Sequence, residues 1–164
     1  MITLKLVKIR DYSADDWVAI ETMLRLNTNL QFISVEHEKK LIHHYIQQTD
    51  SGRTVVAQDG ATNALVGYAI LRYYRHSVFI ENIVVDPKYH NQGVGGQLLE
   101  FAKKLALLDS PNMEVLRVAV PEDNQGAIRF FIANEFVICG YIKSDASWYI
   151  NNVHFAFPLI DTTF

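Results

Sequence analysis

The chain has 164 residues, of which 49% are hydrophobic and 12% aromatic, enough to build one ordinary domain with a sizeable core. Its formal net charge is -3 and its basic residues are scattered, which argues against the clustered positive footprint of a nucleic-acid-binding surface. The single cysteine, Cys139, can form no internal disulfide, and no Cys/His spacing suits zinc, so no metal site is expected.

The amino-terminal residues lack the basic-then-apolar layout of a signal peptide, and no apolar run approaches the roughly 20 residues needed to span a bilayer. A cytoplasmic protein without membrane association is expected. Thr3, Lys5, Val7 and Ile9 alternate with Leu4, Leu6 and Lys8 in a first strand, although neither set is clean enough to assign its faces. Ser13 stands three residues before Asp16, a capping-box spacing, and Trp17, Ile20 and Leu24 then recur at helical intervals. Ser34 can cap a second helix, with Glu36 and Glu38 in its first turn and Leu41, Ile42, Tyr45 and Ile46 as its apolar stripe. His37, His43 and His44 lie in or beside that helix. His43 and His44 are adjacent and diverge by about 100 degrees, which disfavours a shared metal.

Thr49-Asp50-Ser51-Gly52 breaks the helix. Strands are predicted from Arg53 to Gln58, Ala64 to Tyr74 and Ser77 to Val85, the last two joined by Arg75-His76 in an antiparallel meander. A helix from Gly93 to Leu108 follows, with Val94, Leu98, Phe101, Ala102, Leu105 and Leu108 on one side. Met113 to Val120 reads as a strand, Gln125 to Ala133 as a helix, and Phe136 to Ile142 and Asn152 to Phe157 as two more strands, with Cys139 a buried strand residue. No repeat or linker divides residues 1–164, so a single domain with helices on one mixed sheet is the economical architecture.

The connection from Asp86 to Gly96 carries the strongest signal. Gly93, Gly95 and Gly96 let backbone approach a ligand, and the N–H groups at the start of a helix suit a pyrophosphate. The run fits neither the dinucleotide fingerprint nor a Walker P-loop, which disfavours nucleotide hydrolysis.

His90-Asn91-Gln92-Gly93-Val94-Gly95 resembles motif A of the GNAT superfamily of acyl-CoA-dependent N-acyltransferases, whose pattern is [Q/R]-x-x-G-x-[G/A] at a strand-to-helix turn. His90 stands where the family has Gln or Arg. A frame starting at Gln92 would place Gln97 at the last position and displace the Leu98-Leu99 pair, so the His90 frame is preferred. Glu81-Asn82-Ile83-Val84-Val85-Asp86-Pro87 resembles the family's fourth strand, and Asn124-x-x-Ala127-x-x-Phe130-Phe131 followed by Phe136 resembles its motif B.

The resemblance implies a mixed, mostly antiparallel α/β sheet of about seven strands flanked by about four helices. It implies acetyl-CoA as co-substrate, without metal, and transfer of the acetyl group to a primary amine of a small molecule or peptide by direct attack in a ternary complex. Main-chain groups of the Ile83-Val84-Val85 segment would pair with the pantetheine arm and the acetyl carbonyl. His90, Asn91, Gln92, Gly93, Val94, Gly95 and Gly96 would hold the pyrophosphate, and Asn124 and Phe131 would meet the cofactor from the second motif.

Glu81 interrupts a mostly apolar run, where a carboxylate is costly to bury uncompensated; it is the candidate general base, directly or through water. An ion pair with Arg72 is the competing explanation: across a two-residue turn, Glu81 would sit opposite Ile70 and diagonal to Arg72. Many family members carry a tyrosine acid at the position of Phe131, which cannot donate a proton. Tyr141, Tyr89 or a water could replace it, or the thiolate could leave without an acid. These departures motivate a rival reading, a non-catalytic acyl-CoA-binding regulatory module. Substrate identity is expected to reside in the first two helices, the loop after Leu24 and the segment from Ser144 to Tyr149; Leu26 to Leu30 and Trp148-Tyr149 could line an amine pocket, and ordinary packing explains them as well. The acyl acceptor is unread, and a homodimer is left open.

Overall fold

The computed structural model describes residues 4–27, 33–143 and 151–159. Its strands are β1 (Val7–Asp11), β2 (Gly52–Asp59), β3 (Leu65–Tyr74), β4 (Ser77–Val85), β5 (Val115–Pro121), β6 (Val137–Ile142) and β7 (Asn152–Pro158). Its helices are α1 (Trp17–Leu26), α2 (Val35–Gln47), α3 (Val94–Asp109) and α4 (Gln125–Ala133), with short 3-10 turns at Ala14–Asp16 and Pro87–Tyr89. The strands form one sheet in the order β1-β2-β3-β4-β5-β7-β6. Only the β4–β5 pair is parallel. The mixed, mostly antiparallel sheet flanked by helices is therefore as expected.

Local chemistry explains the helix starts. The Ser13 N–H donates to Asp16 Oδ2 at 2.7 Å, and Asp16 also holds the Arg10 guanidinium through two bonds of 2.8 and 2.7 Å, fixing the entry to α1. Ser34 Oγ accepts from the His37 N–H at 3.2 Å and starts α2. The sheet then divides the apolar side chains into two cores. On one face, Trp17, Ile20 and Leu24 of α1 and Ile42 and Tyr45 of α2 pack on Val56, Tyr68, Ile70 and Val84. On the other, Leu98, Leu99, Ala102 and Leu105 of α3 join Phe131 of α4 over Leu71, Val78, Ile80, Leu116 and Phe155.

Four expectations change. Leu108 is 78% exposed, whereas Leu99 and Ala106 are buried, so the inner face of α3 is rotated toward the Leu98-Leu99 pair. Ile46 faces solvent, and the buried stripe of α2 runs through Glu38, Ile42 and Tyr45. Cys139 is exposed, because β6 is an edge strand covered on neither face over its length. The first strand starts later than its alternation suggested, at Val7; residues 1–3 lie outside the described residues.

Two irregularities of β4 position the site. The β3–β4 ladder runs from Tyr74↔Ser77 to Leu71↔Ile80, then resumes at Ile70↔Asn82, so Glu81 is the extra residue of a β-bulge. The bulge reverses the alternation: Val78 and Ile80 pack toward α3, but so do Ile83 and Val85, while Val84 packs toward α1 and α2. The second irregularity is that β4 and β5 pair only over Ser77↔Val115 to Ile80↔Val118. Beyond Ile80 the two parallel strands part, and among the described residues β4 from Glu81 to Val85 has no strand on its β5 side.

No helix among the described residues is long and apolar enough to cross a membrane.

Candidate active site

The split between β4 and β5 opens beside the turn that starts α3. Asn91 (φ 59°) and Gly93 (φ 79°) both take left-handed backbone, which an L side chain rarely adopts and glycine adopts freely. The N–H groups of Val94, Gly95 and Gly96 then open α3 with no carbonyl one turn back to accept them. Gly95 is small for another reason: an added Cβ would lie 3.2 Å from the Phe130 ring, so its lack of a side chain lets α4 approach α3.

The side chains of the turn brace it. His90 Nε2 lies 2.8 Å from the Val85 carbonyl, to which it donates in the tautomer protonated at Nε2. Gln92 Nε2 donates to the Lys88 carbonyl at 2.9 Å. The Gln92 carbonyl accepts from the Lys5 N–H at 2.9 Å, and Gln97 Nε2 donates to the Lys5 carbonyl at 2.6 Å, so the segment before β1 is bound to the turn. His90, at the departure from the motif, thus ties the end of β4 to the turn.

On the opposite face of the sheet, the bulge directs Glu81 and Asn82 toward α2. Glu81 Oε1 lies 2.5 Å from Arg72 Nε, and the Arg72 guanidinium sits over the Phe79 ring. The ion pair with Arg72 is therefore present, but not by the route expected. Asn82, not Glu81, is opposite Ile70, because the bulge shifts the register by one residue. Tyr45 of α2 faces the same pair: burial pushes its hydroxyl up to about 12, the Glu81 charge adds to the shift, and Arg72 opposes it.

Sequence reasoning missed Glu38. It is fully buried at 0% exposure, with Oε1 accepting from Tyr68 Oη at 2.7 Å and from Asn82 Nδ2 at 3.0 Å, and Oε2 accepting from Asn82 Nδ2 at 2.8 Å. Burial pushes its carboxyl above the ordinary range, opposed by the bonds from Tyr68 and Asn82. The signal was available: Glu38 lies four residues before Ile42 and seven before Tyr45, on the buried face of α2. Tyr68 and Asn82 carried no comparable cue.

The second motif divides. Asn124 Oδ1 accepts from the Ala127 N–H at 3.1 Å, capping α4 where β5 ends. Phe131 is 2% exposed and packs among Phe130, Phe136 and Phe155 in the core on the α3 side of the sheet. Its neighbour Phe130 is the ring that reaches Gly95. Tyr141 lies 53% exposed on β6 and donates to Glu122 Oε2 at 2.7 Å. That bond raises its hydroxyl above the ordinary range and keeps its proton on the phenol oxygen, directed at the carboxylate. Tyr89 lies beside Lys5 at the α3 turn. The amine-pocket segments fall largely outside the described residues, at 28–32 and 144–150.

A cleft of about 710 Å³ lies at the other end of the sheet, where Arg53 is bound by both Asp11 and Asp109. Arg53, Asp11 and Asp109 pair with one another there, and Tyr45 lines one side of it. Among the described residues, no group of three His, Cys, Asp or Glu side chains could hold a metal ion.

Residues 17–136 match the sequence profile of the acetyltransferase (GNAT) family. The chain belongs to this family. It is an acyltransferase, and the GNAT fold is the mixed sheet with its split. Among solved structures, Ard1 from Thermoplasma volcanium is 23% identical, with TM-score 0.77 over 94% of this chain and 99% of that one. The ribosomal-protein-S18-alanine N-acetyltransferase from Escherichia coli is 17% identical, with TM-score 0.73 over 94% of each chain. The yncA protein from Salmonella typhimurium, solved with its cofactor acetyl-CoA, is 17% identical, with TM-score 0.71 over 96% of each chain. No curated protein sequence matches the chain significantly.

The residues present fit the acetyl-CoA that the GNAT family uses. A strand edge without a strand neighbour among the described residues adjoins a left-handed glycine and the first-turn amide donors of a 16-residue helix.

Proposed function

We propose that this GNAT protein is an N-acetyltransferase that moves an acetyl group from acetyl-CoA to a primary amine by direct attack in a ternary complex. The observation that carries this reading is the β4–β5 split. It presents the edge of β4 beside the α3 turn, with no strand against Glu81 to Val85 among the described residues and the Val85 carbonyl held by His90 Nε2, and places the Glu81 bulge at its mouth.

When bound, acetyl-CoA supplies an activated thioester. The edge of β4 pairs with its pantetheine arm as an added strand would, and the N–H groups from Gly93 to Gly96 receive its pyrophosphate. The turn side chains His90 and Gln92 hold that cradle in shape, and the cap at Asn124 sets the far wall. Glu81 takes the proton that the ammonium must lose before its nitrogen can attack, and Arg72 orients the carboxylate. A new nitrogen–carbon bond forms as the carbon–sulfur bond breaks. With Phe131 in the core and Tyr141 engaged by Glu122, no protein acid is assigned, and the second proton, shed by the nitrogen after attack, passes through water to the departing thiolate.

The amine enters from the α1–α2 face, where Glu81, Asn82 and Tyr45 converge. The test is calorimetric titration with acetyl-CoA, followed by thiol release with spermidine, L-lysine, and peptides bearing an N-terminal alanine or an internal lysine. Binding and amine-dependent thiol release are expected. Tight binding with no release across the panel favours a non-catalytic acyl-CoA-binding module, and no binding removes both readings. Glu81→Gln should keep the dissociation constant and lower kcat by about 100-fold or more; a fully active variant removes the carboxylate from the mechanism.

A further inference from the structure

We infer that Glu38 is a positioning residue for Glu81: from α2 it anchors Asn82, and so fixes the β-bulge that turns the Glu81 carboxylate toward the acceptor side. The inference rests on the reading of Glu81 as the base.

Three observations lead to it. First, Glu38 occupies a core position of α2, in line with Ile42 and Tyr45, where an apolar residue would complete the stripe without desolvating a carboxylate. Second, the carboxyl forms no salt bridge among the described residues; both oxygens are spent on Asn82 Nδ2, and Oε1 also accepts from Tyr68. Third, Asn82 directly follows the bulge residue, where the β3–β4 ladder resumes. A bulged residue lacks a partner across the ladder, so its direction depends on what fixes its neighbours. Here Arg72 holds Glu81 from β3, and Glu38 holds the next residue from α2. The contact also joins the helix bordering the amine side to the strand that carries the base.

A merely structural network would lose stability when cut but would lower activity independently of Glu81. The experiment therefore compares Glu38→Gln, Glu81→Gln, the double variant, and the reciprocal pair Glu38→Gln with Asn82→Asp, which restores a carboxylate–amide contact with the charge moved to β4. Thiol release from acetyl-CoA is followed with the panel amine of highest turnover, and acetyl-CoA affinity by calorimetry. Glu38→Gln should lower kcat by about tenfold while changing the acetyl-CoA KM and dissociation constant by less than about twofold. In the Glu81→Gln background the same substitution should change kcat by less than about twofold, since a positioning effect disappears with the group positioned. The reciprocal pair should recover kcat to within about threefold of wild type.

Wild-type kcat in Glu38→Gln, full multiplication of the two losses in the double variant, or a loss confined to acetyl-CoA binding overturns the inference and leaves Glu81 as base. A fully active Glu81→Gln variant, or no turnover with any panel amine, overturns the reading of Glu81 and this inference with it. Should Glu38→Gln fail to fold, the reciprocal pair decides: a folded pair with kcat lowered tenfold or more also overturns it.

Discussion

Single residues carry distinct burdens in this site, and two of them can be separated by substitution. Gly93 sits at φ 79°, and a Cβ there would lie 2.4 Å from Leu4 Cδ2. Gly93→Ala therefore strains left-handed backbone, at about 1–2 kcal/mol, and pushes the amino-terminal segment off the turn. The expected outcome is a lower unfolding midpoint together with weaker acetyl-CoA binding by calorimetry, and unchanged affinity would mean that the turn tolerates the shift. Phe131 is the complementary case. Because the ring lies in the core among Phe130, Phe136 and Phe155, Phe131→Tyr adds a hydroxyl to apolar surroundings. It should cost about 1–3 kcal/mol in urea unfolding and should not raise kcat. A gain in kcat would show that the hydroxyl reaches the thiolate after all.

At the scale of elements, the site depends on where strands and helices stop agreeing with one another. The antiparallel meander β2–β3–β4 brings the chain to the centre of the sheet, and the parallel pairing with β5 ends after Ile80 and Val118. Helix α3 then starts beside the free end of β4, and α4 starts where β5 ends, so two helix starts face one gap. The cap on α4 is testable without touching the chemistry. Asn124→Ala removes the acceptor for the Ala127 N–H and should lower stability by about 1 kcal/mol in urea unfolding. If Asn124 also meets the pantetheine region, acetyl-CoA affinity falls further than this loss of stability explains; an unchanged affinity would leave it a cap alone.

Over the whole molecule, buried carboxyls make stability depend on pH in two opposite ways. Burial raises the Glu38 carboxyl above its ordinary range despite the bonds from Tyr68 and Asn82. The fold therefore prefers this group protonated, and the stability it contributes is complete below about pH 4.3 and lost as pH rises through the raised value. Urea unfolding of wild type and Glu38→Gln across this range should show the wild-type advantage shrinking as pH rises; a constant difference would refute the shift. Asp16 works the other way. Burial pushes its carboxyl up, but the Arg10 guanidinium and the Ser13 N–H outweigh it and hold it below the ordinary range. Its contribution is present above about pH 3.9 and is lost as pH falls through the lowered value.

The sequence by itself determined what depends on neighbours in the chain. The elements follow from apolar spacing, the Ser13 and Ser34 starts from capping chemistry, and the turn from His90 to Gly96 from glycines beside a helix start. Read with the resemblance to the GNAT motifs, those local features led to the expectation of the mixed sheet and of an acetyl-CoA cradle. Tertiary structure decided what depends on which distant surface a residue meets. Spacing cannot register one extra residue in a ladder, so the bulge that places Glu81 and Asn82 on the α2 face was not legible. The motif marked Phe131, but the rings packed around it decided that it serves the core. Glu38 was read as a partner of the helix dipole because charge suggests solvent; only the arrival of Tyr68 and Asn82 from β3 and β4 supplies the hydrogen bonds that allow its burial.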